Sequence, residues 1–381
     1  MASVKQVVQI LPSSHEEGNI AYPNQFLHAL RVHACIRKPS APHVGQSSGE
    51  SEAQLQQRAG ASSLGSRKGD SRSCLPYARI TLCLFALSAV VSAQTQTTLK
   101  VAVNSTTIES FPVFAAVDSL PSVEIVPTDN GRNAMARLVA GSVDVATGSE
   151  TQALLNSVMD TRIRIVLTLS ECRYRVVARR SAGIQRIADL RGKKVAATLN
   201  TSSAYYLSRM LAKAHVDESG VQVVAMEGQA MPAALAKRDV DAVSIWEPHA
   251  QNSLEAVAGD FVILEDPAAY TERFNFNTRT DVLSDPAKRA ALGSLIEEIA
   301  RVSARLRTES SEIIPSLAPK VNTPVRTVMA VWPQFKFPAA ISEGLQASLE
   351  EVEPCVAATQ KRQPRTNKDL SVLIDRSLTA K

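Results

Sequence analysis

The stretch IADLRGKKVAATLNTSSAYYLSRMLAKAHV, residues 187–216, sets a short β-branched run, KKVAAT, against small polar residues at 200–203 and then against an apolar-periodic segment. A run of strand length, a polar break and a helical repeat read as strand, loop and helix. In an open α/β sheet, ligands bind outside the carboxyl ends of the strands. A helix that begins there offers N–H groups with no intrahelical partner and a partial positive charge. Ser or Thr before such a helix can cap it and can also turn a hydroxyl to a ligand. Asn200, Thr201 and Ser202 are therefore candidate ligand contacts, the competing reading being that Thr201 or Ser202 merely caps the helix. Tyr205 and Tyr206 straddle the first turn. Tyr205, nearer the helix start, is expected to face the ligand and Tyr206 the core.

The same order of elements recurs through the chain. LKVAV, VEIVP, VDVAT, IRIVLTL, YRVVAR, KKVAAT, VQVVAM, VDAVSIW and FVIL are strand-length runs, and RNAMARLVAG, SSAYYLSRMLAKAHV and MPAALAKR carry apolar residues at helical spacing. Strands that alternate with helices need crossover connections, which gives a mainly parallel sheet flanked by helices. The alternation also repeats internally. Lys100-Val101-Ala102 leads to Asn104-Ser105-Thr106-Thr107 as Lys194-Val195-Ala196 leads to Asn200-Thr201-Ser202-Ser203, and ARLVAGSVDVATGSE aligns with AALAKRDVDAVSIWE, matching Asp144 to Asp241 and Glu150 to Glu247. A duplicated unit implies two similar α/β lobes. Asp144 and Asp241 repeat with the fold, so each is expected to make a structural hydrogen bond to nearby backbone.

The duplication extends the list of candidate contacts. The counterpart of the opening loop is 104–110, with Ser105, Thr106 and Thr107. Asn130-Gly131-Arg132 precedes another helix, where Gly131 permits close backbone approach and Arg132 could fork to a carboxylate or sulfonate, or be simply solvated. Ser149 and Glu150 end the first V-D strand, and Trp246 and Glu247 end the second. Trp246 could cover an apolar or cationic part of a ligand, or sit in the core. Glu150 and Glu247 could bind an ammonium, hold basic residues, or be plain helix-start acids.

Composition narrows the class of function. Nine basic and five acidic residues precede Gln94, and 33 basic and 32 acidic residues follow it, so the body is near neutral and no nucleic-acid partner is expected. Residues 1–71 are rich in Ser, Gly and Gln, without hydrophobic periodicity, and read as disordered or as an extension from a mis-assigned start. Residues 72–93 contain Arg72, Arg79, the apolar run ITLCLFALSAVV and the small-residue site Val91-Ser92-Ala93, the three parts of a secretory signal peptide, an uncleaved anchor being the rival reading. An exported chain beginning at Gln94 keeps Cys172 and Cys355, which could pair or remain buried thiols. It also keeps two histidines, His215 and His249, and has no C-x-x-C or H-E-x-x-H motif, so neither a metal site, a cofactor nor a catalytic His is expected.

ADLRGKKVAATLNTSSAYYLSRML followed by ALAKRDVDAVSIWEPHAQ resembles the substrate-binding proteins of nitrate/sulfonate/taurine/bicarbonate-type ABC importers, a family that also includes thiamine-pyrimidine binders. The resemblance covers roughly 99–307. It implies a two-lobed, type II periplasmic-binding-protein-like fold: lobe I from 94–175 and 272–381, lobe II from 176–271, and two crossing segments as hinge. It further implies a periplasmic monomer that captures a small polar or anionic organic solute between the lobes. The partners would be the permease and ATPase subunits of an importer. An enzyme of thiamine-pyrimidine synthesis type on the same fold, or a solute-sensing domain, is the alternative. ERFNFNTRTDVLSDPAKRAALGSLIEEIARVSARLR resembles the family's return into the first lobe, with a long helix starting near Asp285-Pro286. The later helices are expected to pack on that lobe, with KRQPRTNKDL a solvated turn.

Overall fold

The β-branched runs form the strands expected of them. The computed structural model describes residues 98–379; the extension 1–71 and the signal segment 72–93 lie outside the described residues. In chain order the strands are β1 (Leu99–Asn104), β2 (Val123–Thr128), β3 (Val145–Ser149), β4 (Ile163–Arg173), β5 (Arg175–Ala178), β6 (Lys194–Ala197), β7 (Gln222–Ala225), β8 (Ala242–Ile245), β9 (Val262–Leu264), β10 (Thr271–Arg279) and β11 (Phe335–Lys336). They assemble into a six-stranded sheet of order β11-β4-β10-β3-β1-β2 and a five-stranded sheet of order β7-β6-β8-β5-β9. β1 pairs in parallel with β2 and β3, and β6 with β7 and β8. In the first sheet β10 runs against β3 and β4, and β4 in turn against β11; in the second β5 runs against β8 and β9. The sheets are thus mixed, because β5 and β10 are the strands by which the chain enters each sheet from the other.

The helices between them are α1 (Phe111–Ala116), α2 (Gly131–Val139), α3 (Glu150–Asn156), α4 (Ser202–Lys213), α5 (Met231–Ala236), α6 (His249–Ala256), α7 (Thr280–Ser284) and α8 (Pro286–Thr308). α8 starts where the Asp-Pro pair predicts: Asp285 accepts hydrogen bonds from the N–H groups of Ala287 and Lys288, with Pro286 in the first turn.

The internal repeat is physical. Asp144, just ahead of β3, accepts the Lys100 N–H at 2.9 Å, and Asp241, just ahead of β8, accepts the Lys194 N–H at 3.0 Å. In both units the aspartate's own N–H returns the bond, to the carbonyl of Lys100 or Lys194, at 2.8 Å. Each carboxylate also takes one cation, Lys288 at 2.7 Å and Arg179 at 2.8 Å. The aspartate therefore pins the start of a "V-D" strand to the start of the strand beside it.

Two expectations for the carboxyl-terminal region need correction. The helix Leu345–Thr359 does not pack on the first sheet alone: Leu345, Leu349, Val352 and Val356 join the buried cluster that contains Tyr205, Tyr206 and Trp246, and Glu351 pairs with Arg209 of α4 at 2.5 Å. KRQPRTNKDL is not a solvated turn throughout, because Arg362 and Arg365 both reach back to the buried Glu353. Burial pushes that carboxyl up, but the two guanidinium groups outweigh it and hold it below the usual range. Cys172 and Cys355 are not joined in a disulfide.

Asp144→Ala and Asp241→Ala each leave a strand-start N–H without its partner. Each is expected to destabilise the fold by about 1–3 kcal/mol in urea unfolding, and the two losses to add, since the sites share no partner. A loss below about 0.5 kcal/mol at either site would remove that aspartate from the frame.

Candidate functional site

One cleft draws its lining from both sheets and has an empty volume of about 310 Å³, open solvent at its mouth included. From the first sheet and its helices come Asn104 at the end of β1, Asn130, Gly131 and Arg132 at the start of α2, Ser149 at the end of β3 and Gln152 on α3. Glu109 sits in the 3-10 turn Ile108–Ser110, and Glu272 and Phe274 lie on β10. From the second come Thr201 and Ser202 at the start of α4, and Trp246 after β8. These are strand ends and helix starts, where backbone N–H groups point outward.

The local sequence explains the arrangement. Asn130 caps α2 by accepting the Asn133 N–H at 2.8 Å, and Thr201 caps α4 by accepting the Ser203 N–H at 3.2 Å. Asn200 takes the left-handed conformation that turns the chain into α4, at φ 58°. At Gly131 a Cβ would stand 3.2 Å from the Gly148 Cα, so the small residue lets the α2 start approach the end of β3. Ser203 fastens the loop below by donating to the Ser244 carbonyl at 2.6 Å.

Of the residues singled out in the sequence, Asn130, Arg132, Ser149, Thr201, Ser202 and Trp246 meet in this cleft. The others sit beside it, all but Tyr205 with their polar groups engaged. Ser105 donates to the Thr128 carbonyl at 3.1 Å, Thr106 lies 3.0 Å from both the Asn104 side chain and the Asp129 carbonyl, and Thr107 bonds Glu109 and the Glu247 carbonyl. Hydroxyls in a tight loop after a strand are drawn to the nearest backbone acceptors. Asn200 offers its carbonyl to Gln152 Nε2 at 2.6 Å. Tyr205, expected at the ligand, packs edge-on to Tyr270 with ring centroids 5.1 Å apart, because the first turn of α4 presents that face to the core. Glu150 accepts the Ser348 hydroxyl at 2.9 Å and the Arg273 N–H at 3.0 Å; Glu247 holds Arg175 and caps with the Gln251 N–H at 3.0 Å.

Asn104, Glu109, Gln152, Glu272 and Phe274 line the cleft without having been chosen from the sequence. Asn104 and Glu109 fall inside the 104–110 loop, where the hydroxyls drew the reading, and nothing local distinguishes a buried Glu from a solvated one. Glu272 and Phe274 reach the cleft only because β10 returns between β3 and β4.

The sides of the cleft are bonded to one another. Arg132 pairs with Glu227 at 2.6 Å, Gln229 Nε2 donates to the Asp129 carbonyl at 3.1 Å, and Ser202 donates to Glu272 at 2.5 Å. Tyr174 OH donates to the same Glu272 oxygen at 3.0 Å. Burial pushes the Glu109 carboxyl well above its usual range, and the charges of Glu272 and Glu247 push it further. Burial also raises Glu272, against the bonds it accepts from Glu109, Ser202 and Tyr174. The pair is thereby biased towards keeping a proton, on the Glu109 side, which is held further up. Burial raises Glu247 in spite of Arg175, and takes Glu150 up to about 7.

This architecture is the periplasmic binding protein fold. Residues 122–285 match the family model described as NMT1/THI5 like, in keeping with the resemblance read from the sequence. Among solved structures, the alkanesulfonate-binding protein SsuA of Xanthomonas axonopodis pv. citri bound to MOPS is similar over 74% of this chain and 98% of its own, at 17% identity and a TM-score of 0.61. The ligand binding component of an ABC-type import system from Staphylococcus aureus matches 74% of this chain and 98% of its own at 12% identity, also with a TM-score of 0.61. At these identities the likeness carries the fold alone. A chain of Brucella abortus, named only as a binding protein, is 35% identical over 85 residues, which span 22% of this chain and 26% of that relative's length.

The buried carboxyl of Glu150 predicts a pH effect. Its folded-state value of about 7 lies above its ordinary 4.5, so between those values the folded state keeps a proton that the unfolded chain releases. Stability from this group is present at low pH and is lost as pH rises through about 7, by up to about 3 kcal/mol. His249, pushed down to about 4 by burial, works in the opposite sense up to its ordinary 6.5. It does so equally in a Glu150→Gln variant. Relative to that variant, the native protein is expected to lose stability in urea unfolding as pH goes from 4.5 to 7.5; parallel pH profiles would contradict the assignment.

Proposed function

We propose that the chain is a solute-binding protein that takes one small polar organic solute into the cleft and closes around it. In this reading it acts outside the cytoplasm as a monomer and delivers its solute to the permease and ATPase subunits of an ABC importer. Lobe I comprises 94–175 and 272–381 and lobe II 176–271; the crossings expected near 175–179 and 270–274 fall inside β5 and β10, so the hinge is placed at Tyr174 and at 265–270. The observation that carries the reading is a single lining built from the strand ends of both sheets and bridged from one side to the other. Asn130, Arg132, Ser149, Thr201, Ser202 and Trp246, together with Asn104, Glu109, Gln152, Glu272 and Phe274, are the proposed contacts.

The reading is of a carrier and not of an enzyme, because the hydroxyls of the lining have structural tasks: Thr201 caps α4 and Ser202 holds Glu272. The sulfonate in the Xanthomonas protein does not carry over with the fold. Arg132, the one basic side chain in the lining among the described residues, is taken by Glu227.

Two measurements test the reading. A true solute at about 100 times its dissociation constant should raise stability by ~2.7 kcal/mol in a thermal-shift panel of sulfonates, amines, amino acids and inorganic anions. Arg132 and Glu227 are partly exposed, so their pair should contribute about 0.2–1 kcal/mol to closure. Glu227→Ala is accordingly expected to enlarge the ligand-free radius of gyration in small-angle scattering and to weaken binding up to about fivefold. A radius insensitive both to a stabilising solute and to this substitution would count against a closing cleft.

A further inference from the structure

We propose that the solute is an organic cation, an ammonium or amidinium on a flat apolar body, whose charged nitrogen lies between Glu109 and Glu272 while Trp246 and Phe274 cover the body. The inference rests on the solute-binding reading and adds the chemical class of the ligand.

Without such a ligand the carboxyls around the cleft coexist only by retaining a proton. Glu109, Glu150, Glu247 and Glu272 are all buried, and Arg175 is the buried cation paired among them, with Glu247. Arg132 is withdrawn to Glu227 at the cleft. Glu150 is satisfied by Ser348 and the Arg273 backbone. That leaves Glu109 and Glu272, both in the lining, facing each other with no basic side chain between them. An anionic solute placed there would meet two carboxyls in a medium of low dielectric, which costs more than its other contacts could return.

An independent observation also points to a ligand. Glu109 is 2% exposed, and apart from the proton it shares with Glu272 its Oε1 has no partner among the described residues. The Trp246 indole N–H, in a residue 7% exposed, is likewise unpartnered. Buried polar atoms are normally satisfied, and both of these residues line the same cleft. The proton on Glu109 lets the two carboxyls coexist in the ligand-free state. A cation entering between them replaces it: the proton leaves to solvent, both groups ionise, and the N–H donors of the ligand take the oxygens. Trp246 and Phe274 supply aromatic surface, which favours a cation with an apolar body.

Proton release makes affinity depend on pH. The ionisable groups around the pair are Cys172 on β4, Tyr174 between β4 and β5, Arg175 on β5, Glu150 at the start of α3, Glu247 after β8 and Tyr270 ahead of β10. Burial pushes Cys172, Tyr174 and Tyr270 up, so they stay neutral near neutral pH. Glu247 is matched by Arg175. The Glu109–Glu272 pair and Glu150 are then the groups that change charge.

The test uses three probes of one shape and different charge: benzamidine, benzamide and benzenesulfonate, at millimolar concentration with the full chain. Thermal shift and calorimetry should rank benzamidine at least tenfold above the other two. Its affinity should rise with pH, and binding should release a proton in buffers of different ionisation enthalpy. Glu109→Gln, which replaces a protonated carboxyl by a neutral amide of the same shape, should fold and lose the preference for benzamidine and the proton release; Glu272→Gln serves as the second variant. Benzenesulfonate binding above benzamidine would overturn the cation assignment and leave solute binding standing. A benzamidine preference unchanged in both variants would overturn the placement of the charge. Silence from all three probes, with no change in radius of gyration, would overturn both the assignment and the solute-binding reading.

Discussion

The antiparallel ladder between β4 and β10 is the seam on which both halves of the molecule hang. It runs from Thr271 opposite Arg173 to Arg279 opposite Ile163, with irregularities at Phe274/Asn275 and Phe276/Asn277. The chain leaves the first sheet at Arg173, enters the second at Arg175, and comes back at Thr271, so outgoing and returning strands are held side by side. A bulge twists the strand locally and re-aims its side chains. Here the extra residues, Leu169 and Val166, lie in β4, opposite the steps Phe274/Asn275 and Phe276/Asn277 of β10. Glu272 and Tyr174 stand at the same junction, joined by a hydrogen bond of 3.0 Å. Anything that moves one sheet against the other must pass through these few residues.

The two sheets themselves are built twice from one plan, and the plan is enforced by hydrogen bonds and not only by hydrophobic pattern. Asp144 and Asp241 each exchange a pair of bonds with a lysine backbone on the neighbouring parallel strand. That brace fixes the register of β1 with β3 and of β6 with β8, and register decides which strand ends project into the cleft. The loops that follow carry small hydroxyl residues because a chain turning from strand to helix has orphan backbone groups to satisfy. Most of the hydroxyls in 105–107 are used in that way, which leaves the lining to Asn104, Glu109 and the caps of α2 and α4.

The chemistry of the cleft follows from where carboxyls are buried. Glu247 has Arg175 and Glu150 has donors from two other elements, so these two acids hold the structure together around the site. Glu109 and Glu272 have each other. Two carboxyls in contact, out of water, retain a proton between them, and that proton marks the place where a positive charge would be most welcome.

By itself the sequence determined the alternation of strands and helices, the duplication, the bracing aspartates and the helix starts at Asn130, Thr201 and Asp285. Those features are written in local periodicity, capping chemistry and spacing, all of which act over a few residues. Tertiary structure alone decided the rest. Tyr205 and Tyr206 are adjacent and alike, and only the packing of Tyr270 and of the helix Leu345–Thr359 against α4 turned Tyr205 inward. Arg132 reads as a free fork until Glu227, 95 residues on, is brought to it. Glu109 and Glu272 are 163 positions apart in the chain, and nothing near either predicts burial or a shared proton. Their pairing arises because β10 returns to the middle of the first sheet, and a strand's place in a sheet is set by contacts between distant segments that no local pattern records.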